Sequence, residues 1–565
     1  MLPDVLIVGA GPTGLLLAAE LARHGVKLRL IDKNPHPSKT SKALAIFART
    51  LEVFDRLGIA DEAIKRGRKL HALNVYADSK RIVRIDFDKL DSCFPFALSL
   101  PQSETEDILA NLAENLGVKI ERSVTFSSLE QDTDGVTATL SHADGRKESC
   151  RVPWLIGCDG AHSTVRQEAG LAYQGVDLEA SFLLMDVEID WNLSPDEPHI
   201  FLTSNGELGA FPLPEDRFWR LFVDVPSDRE VPEEPDLQLL QQLFNERSHI
   251  QANLTNPVWT SSFTIRQRMV DKSRIGRVFV AGDALSSHSP VGGQGMNAGL
   301  QDAYNLAWKL ALAIAGEAST DLLDSYPIER EPVSKLILAS TELATRIVTL
   351  SNPIYKQIRR YAAGFFTNFD SVQKRIVSTI SGLKVNYRKS PIVQEEYPFL
   401  LPNLSPKRLN LIDWWHFHHG LKAGDRAPDI MVQTKDGKQS LYRVFSGIKH
   451  HLLLFAGQVT TPANYARLSQ ITQEVERKFG AYIAVHIALW ETHIPEYLHW
   501  HGSILLDPEG ECHQRYSAFG ESFYLIRPDS YIGYRCQPAD VSKLTTYLQT
   551  VNLFQNESIM ALPNF

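Results

Sequence analysis

DVLIVGAGPTGLLLAAELARHGVKLRLID, residues 4–32, is the stretch that decides the fold. Residues 4–8 form an apolar strand that runs straight into a turn holding Gly9, Gly11, Pro12, Thr13 and Gly14. A helix follows from Leu15 to His24, with Gly25 as its C-cap, and a second strand from Lys27 to Ile31 ends in Asp32. The three glycines do different things. Gly9 makes the tight turn, Gly11 admits a pyrophosphate against the backbone, and Gly14 lets helix and strand pack closely. Asp32, about twenty residues after Gly11, is placed to accept hydrogen bonds from ribose hydroxyls, with Lys33 beside it. Strand, glycine turn, helix, second strand and acid in this register predict a dinucleotide-binding unit.

A second stretch, RVFVAGDALSSHSPVGGQGMNAGLQDAYNLAWKL from Arg277 to Leu310, repeats the logic far downstream. Val278 to Ala281 reads as a strand, Gly282-Asp283 as a turn, and Gly292, Gly293 and Gly295 as a loop emptying into a helix. The apolar spacing of Leu300, Ala303, Leu306, Ala307 and Leu310 supports that helix. Its start presents unpaired N–H groups and the positive end of the helix dipole, so an anionic group belongs there. Between the two stretches, LIGCDGAHSTVR (Leu155 to Arg166) reads as a strand ending in Asp159-Gly160, then a small-residue turn and a helix start.

The ordered set GxGxxG, then DG, then GD resembles the single-component FAD-dependent aromatic hydroxylases, the group of para-hydroxybenzoate, phenol and polyketide hydroxylases. The resemblance implies FAD as cofactor, with Asp32 on the adenosine ribose, Asp283 on the ribityl chain, and Asp159-Gly160 serving both FAD and a docking NAD(P)H. SKALAIFARTLEVFDRLG (Ser41 to Gly58) resembles the segment beside pyrophosphate and flavin, with Arg49 as phosphate contact and Lys42 where the family often has arginine. LPQSETEDILANLAENLGV (Leu100 to Val118) matches the segment whose glutamine, here Gln102, reaches the cofactor, and Val124 fits the position pairing with adenine. The family's GDAAHxHPPxGGQGMN is GDALSSHSPVGGQGMN here: Ser286 and Ser289 replace a histidine and a proline, while His288 and Pro290 stay. The resemblance implies that Pro290 faces the reacting flavin edge. It places the amides of Gly295, Met296 and Asn297 at the pyrimidine edge, where a helix N-terminus stabilises reduced-flavin charge by about 0.3–2 kcal/mol. Pro290 and His288 are the catalytic candidates.

From Glu179 to Ser262 the pattern changes to alternating strands (SFLLMDVEID, HIFLTS, LGAFPLP, FWRLFVDVP), read as an antiparallel sheet. The resemblance implies that this sheet covers the flavin and walls the substrate pocket, with Phe211, Trp219 and Phe222 as candidate lining residues. The chain then returns through FTIRQRMV to Arg268, a basic residue of the family without assigned chemistry. Helical patterns run from Asp302 to about Ile380, and a Pro- and Asn-rich boundary lies near Ser390 to Pro406. Beyond it, strands and helices alternate as in a small thioredoxin-like domain. After HLLLFAG, where a redox-active thioredoxin carries CxxC, the chain reads QVTTPANY. It resembles the redox-silent C-terminal domain of phenol- and polyketide-hydroxylase-like members, which implies a structural or oligomeric role, as in a homodimer. The fold class is therefore α/β: an FAD-binding Rossmann-like domain in two parts (1–178 and 263–400), an antiparallel-sheet substrate domain (179–262), and a thioredoxin-like domain (407–565).

The bulk numbers agree. At 565 residues several domains are expected, and 44% hydrophobic with 22% charged residues is ordinary for a globular protein. A net charge of −9 gives no field for nucleic acid, and no apolar run reaches the roughly 20 residues that span a bilayer. Five scattered cysteines without metal spacing, and a start that reads as no signal peptide, make a cytoplasmic protein the expectation. The expected function is monooxygenation of an aromatic or polyketide-like small molecule by NAD(P)H and dioxygen through a flavin C4a-hydroperoxide shielded from water. Two alternatives stay open: a flavin-dependent reductase or dehydrogenase on the same fold, and a flavoprotein with a mainly partner-binding role.

Overall fold

The computed structural model describes residues 2–38, 43–77, 80–203, 206–225, 236–288, 292–349, 370–397, 411–458 and 460–554. The chain divides into two compact units, one of Met1–Phe54, Gly58–Tyr304 and Arg330–Leu383, the other of Asp55–Leu57, Asn305–Glu329 and Lys384–Phe565.

The first unit is built on a six-stranded sheet in the order Arg274–Ile275, Val278–Val280, Trp154–Gly157, Val5–Val8, Leu28–Asp32, Ile120–Arg122, parallel except at its first strand. Val5, Leu6 and Ile7 are fully buried, as strands covered on both faces must be. The helix after the glycine turn spans Pro12–Arg23, starting earlier than the apolar pattern suggests because Pro12 sits in its first turn with φ already helical. Gly9, at φ +104°, makes the turn, and a Cβ there would strike the carbonyl of Cys158.

An eight-stranded sheet carries the second layer of this unit: Ser286–Ser287, Leu254–Val270, Tyr173–Ile189, Phe218–Val225, Gly206–Pro212, His199–Thr203, Ala72–Ala77 and Lys80–Asp86. It is not wholly antiparallel, because His199–Thr203 pairs parallel with Ala72–Ala77. That junction brings in a hairpin from early in the chain that the sequence pattern did not assign to this layer. Its two 17-residue strands, Tyr173–Ile189 and Leu254–Val270, run continuously through positions 179 and 262. Side chains alternate between its faces. Leu183, Met185, Val187, Leu208, Ala210, Trp219, Leu221 and Val223 form a core with Leu240, Leu243 and Phe244 of the helix Leu237–Ser248.

The second unit has an eight-stranded mixed sheet, Gln394–Glu396, Ile532–Cys536, Ser522–Ile526, His450–Phe455, Ile483–Leu489, Ser503–Leu506, Met431–Thr434 and Gly437–Ser440. Alternation again makes two cores: Leu452 and Leu454 face one, Leu453 and Phe455 the other. Thr461 and Asn464 close a capping box on the helix Pro462–Phe479. The unit buries Lys309, Glu329 and Arg527 together: Lys309 Nζ lies 2.7 Å from Glu329 Oε2, and Arg527 grips Glu329 at 2.6 and 2.8 Å. Such a cluster is tolerated because each charge is paired and hydrogen-bonded. Burial pushes the Cys536 thiol up to about 12, so it is inert rather than redox-poised. Among the described residues, no helix is long and apolar enough to cross a membrane, and no cluster of His, Cys, Asp and Glu fits a metal.

Candidate active site

Within the first unit a single cavity of about 990 Å³ runs from the opening glycine turn to the eight-stranded sheet. Pockets for cofactors and small ligands usually fall at about 300–1,000 Å³, so this one has room for more than a small molecule alone. Of the sequence-derived positions, Gly9, Gly11, Pro12, Thr13, Asp32, Lys33, Gln102, Val124, Asp159, Gly160, Asp283, His288, Gly292, Gly295 and Met296 all line it. Segments separated by nearly 300 residues thus converge on one space.

The cavity wall is shaped for a dinucleotide. A Cβ on Gly11, Gly160, Gly292 or Gly295 would meet nothing within 4 Å, so each glycine faces open space. A Cβ on Gly14 would strike the Gly9 carbonyl, which is the close helix–turn packing expected of it. Asp32 is pinned at the rim, its two carboxylate oxygens accepting from the amides of Ala10 at 2.7 Å and Asn34 at 2.8 Å. Gln102 is held by the Ala43 amide at 3.4 Å and donates to Glu106 at 2.8 Å. Asp159 accepts from the amides of Thr164 and Val165 at 2.7 and 3.1 Å, and burial holds its carboxyl above the usual range.

Several residues stand elsewhere than the sequence reading placed them. Arg49 is not on the cavity wall: it is buried and pairs with Glu52 at 3.0 Å, one helical turn on. Gly14 and Gly282 support the wall from behind, and a Cβ on Gly282 would crowd the Thr13 hydroxyl at 2.6 Å. The Asn297 side chain is spent internally, bonding Phe47, Thr50, Ala45 and Gly293. Trp219 does not line the pocket. It lies on the core face of the sheet, 2% exposed, whereas Phe222, three positions on, faces the cavity with Phe211. An odd spacing on a strand cannot keep two residues on one face. Lys42 and Pro290 lie outside the described residues.

His288 meets the cavity, and its Nε2 is 3.0 Å from Ser286 Oγ, so the serine that replaces the family's first histidine contacts the second. Burial pushes the His288 imidazole down to about 4, leaving it neutral at pH 7. The aromatic wall is Phe211 and Phe222, with Phe182 stacked on Phe222 at 4.3 Å between centroids. Arg220 lies on the same wall, clamped by Asp186 at 2.8 Å through two nitrogens, and its third, Nη1, has no partner among the described residues.

Three supporting residues escaped the sequence reading. Asp302, inside an apolar helix stripe, accepts from the Gly282 amide at 3.1 Å and is held by Arg330 at 2.6 Å, fixing the Gly-Asp turn from below. An acid amid Leu300 and Ala303 was the available signal. Arg166 donates to the carbonyls of Ala161 and Ala284, tying the Asp-Gly loop to the Gly-Asp loop, and lies over the Tyr173 ring at 3.7 Å. A second cavity of about 300 Å³ adjoins this tie, lined by His162, Arg166, Tyr173, Arg268 and Ser287 among others.

Fold and site together define an FAD-binding oxidoreductase. Residues 3–341 match a family model described as an FAD binding domain. A 6-methylpretetramide 4-monooxygenase of Streptomyces rimosus is 34% identical over 98% of this chain and 95% of its own length. A pentachlorophenol 4-monooxygenase of Sphingobium chlorophenolicum is 36% identical over 76% of each chain. The solved anhydrotetracycline hydroxylase of Streptomyces rimosus superposes with a TM-score of 0.73 at 27% identity, covering 98% of this chain and 99% of that one. The chain belongs to the family of flavin-dependent aromatic and polyketide monooxygenases.

Proposed function

We propose that the protein uses FAD, NAD(P)H and dioxygen to hydroxylate an electron-rich aromatic or polyketide-like small molecule. The observation that carries this reading is the continuity of the cavity: one space joins the glycine turn and Asp32 to the apolar wall of Phe211 and Phe222. A bound FAD supplies the electrophilic oxygen once it has received electrons and met dioxygen. The residues do the rest. The Gly9–Thr13 turn and Asp32 hold the adenine half, Asp283 the ribityl chain, and the amides of Gly295 and Met296 face the anionic edge of the ring system. The aromatic wall excludes water and stacks the substrate.

The smaller cavity, with His162 and Arg268 on its wall, supports approach of the phosphates of a nicotinamide nucleotide beside the Asp-Gly loop. The alternating strands and helices of the second unit, lacking CxxC, support a redox-silent thioredoxin-like role in structure or assembly. Purified protein is to be screened for oxygen uptake and NAD(P)H oxidation against phenols and polycyclic quinones. Stimulation by a ligand whose product gains one oxygen atom is the expected result. Flavin bleaching without oxygen uptake or oxygenated product under any ligand would make it a reductase and end the hydroxylase reading.

A further inference from the structure

The cavity face of the eight-stranded sheet is apolar at Phe211 and Phe222 but carries one buried carboxyl. In the strand Gly206–Pro212, Leu208 and Ala210 point to the core, so Glu207, Gly209 and Phe211 point to the cavity, and all three line it. Gly209 is paired with Phe222 on the neighbouring strand, which places Glu207 one step along the same face from the aromatic wall. Glu207 is only 5% exposed. Its carboxyl has no hydrogen-bond partner among the described residues. A buried acid that faces an apolar ligand space and bonds none of the described residues is a group able to take a ligand as its partner.

Its surroundings are built to keep it there. Asp224, opposite on the next strand, accepts the Glu207 amide at 2.6 Å. Arg247, from the helix Leu237–Ser248, donates to Asp224 at 2.7 Å and to the Glu207 carbonyl at 2.6 Å. Gly206, at φ +123°, lets that guanidinium approach, since a Cβ there would lie 2.9 Å from Arg247 Cζ. Arg247 is thus engaged by Asp224 and by backbone, leaving the Glu207 side chain unpaired. Among the described residues, these two are the charged groups beside Glu207.

We propose that Glu207 takes the proton from the ring hydroxyl of the substrate. The assignment rests on the hydroxylase reading above and names a residue of the same site. The proton passes from the substrate oxygen to a Glu207 carboxylate oxygen; the O–H electron pair stays on the substrate as a phenolate, whose charge enriches the ring carbon to be oxygenated. The proton returns to solvent or to the product oxygen afterwards. Burial, and then the Asp224 charge, push the Glu207 carboxyl up to about 8. That brings it close to a phenol's own range, where an ordinary carboxylate is too weak a base.

The test is E207Q in the FAD-loaded protein, probed with 4-nitrophenol, whose phenolate has a visible band. Glutamine keeps the shape and neutrality of the protonated acid but cannot take a proton. In the wild type at pH 8, where about half of the carboxyl is ionised and able to accept, the bound probe should carry clearly more phenolate by difference absorbance than in E207Q. Equal ionisation in the two, or no Glu207-dependent signal at all, overturns the proposal. With an active phenol, E207Q should also lose about 100-fold in hydroxylation rate and the limb of the pH profile near 8, while FAD content stays at the wild-type level. A wild type that ionises the probe through Glu207 yet takes up no oxygen would sink the hydroxylase reading and leave Glu207 as a phenol-ionising site.

Discussion

Asn297→Ala removes a side chain that ties two segments of the first unit together, residues 45–50 and 293–297, remote in sequence and adjacent in space. Its Oδ1 accepts from the Phe47 amide at 3.0 Å and the Thr50 hydroxyl at 2.8 Å. Its Nδ2 donates to the carbonyls of Ala45 at 2.8 Å and Gly293 at 3.0 Å. The residue is buried. At about 1 kcal/mol net for each bond, the four sum to about 4 kcal/mol. The Thr50 hydroxyl can turn to another acceptor, and Ala45 and Gly293 border the cavity, where water reaches them. The loss should therefore settle at about 2–3 kcal/mol, with the buried Phe47 N–H bearing most of it. The same side chain orders the glycine loop and the segment facing it, so FAD should bind about tenfold more weakly for each 1.4 kcal/mol of ordering forfeited. The assay pairs urea unfolding of the apo protein with FAD titration. Asn297→Asp is the control: it keeps the acceptor but sets a carboxylate oxygen against two carbonyls, and should be at least as damaging. If both variants unfolded within about 0.5 kcal/mol of wild type and kept their FAD, within the range of ordinary surface substitutions, the tie would be idle and the reasoning wrong.

Gly11→Ala should leave the apo protein as stable as wild type, because the added Cβ meets nothing in the protein, yet weaken FAD about tenfold or more by filling the pyrophosphate space; Gly14→Ala should instead disturb the turn itself and lower solubility or melting temperature. Phe222→Ala should raise the substrate KM with FAD retained, whereas Trp219→Phe should change stability by about 1 kcal/mol and leave KM alone, as steady-state kinetics and melting will show. For His288, held down to about 4 in the folded chain against 6.5 for the free group, the unfolded state takes the proton first. Its contribution is therefore fully present above about 6.5 and is lost as pH falls toward 4. The loss is at most about 3 kcal/mol, and less because the ring keeps an edge to the cavity. His486, pushed down to about 4 in the second unit, adds a parallel acid sensitivity. The readout is thus the difference between wild type and His288→Gln in unfolding from pH 7 to 4, where an identical slope in both would refute the assignment.

What could be read from residue order was whatever depends on local backbone chemistry. A strand feeding Gly9, Gly11 and Gly14 into a helix, an acid ending the next strand, and a glycine loop opening the helix Gly295–Ile314 each state their geometry through φ, close approach and unpaired amides. These marked out the glycine turn and part of the cavity wall. Strand parity was also legible: Trp219 and Phe222 cannot share a face, and reading the strand two by two would have separated them. Folding alone decided the rest, because the partners are far apart along the chain. Asn297 meets residues about 250 positions away, the strand Ala72–Ala77 joins a sheet made mostly of later strands, and Arg49 spends its charge on Glu52 inside the protein. Glu207 is the plainest case. A glutamate beside a glycine looks like an ordinary exposed turn residue, and only the packing of two strands and a helix around it removes its water and turns it toward the space a ligand would fill.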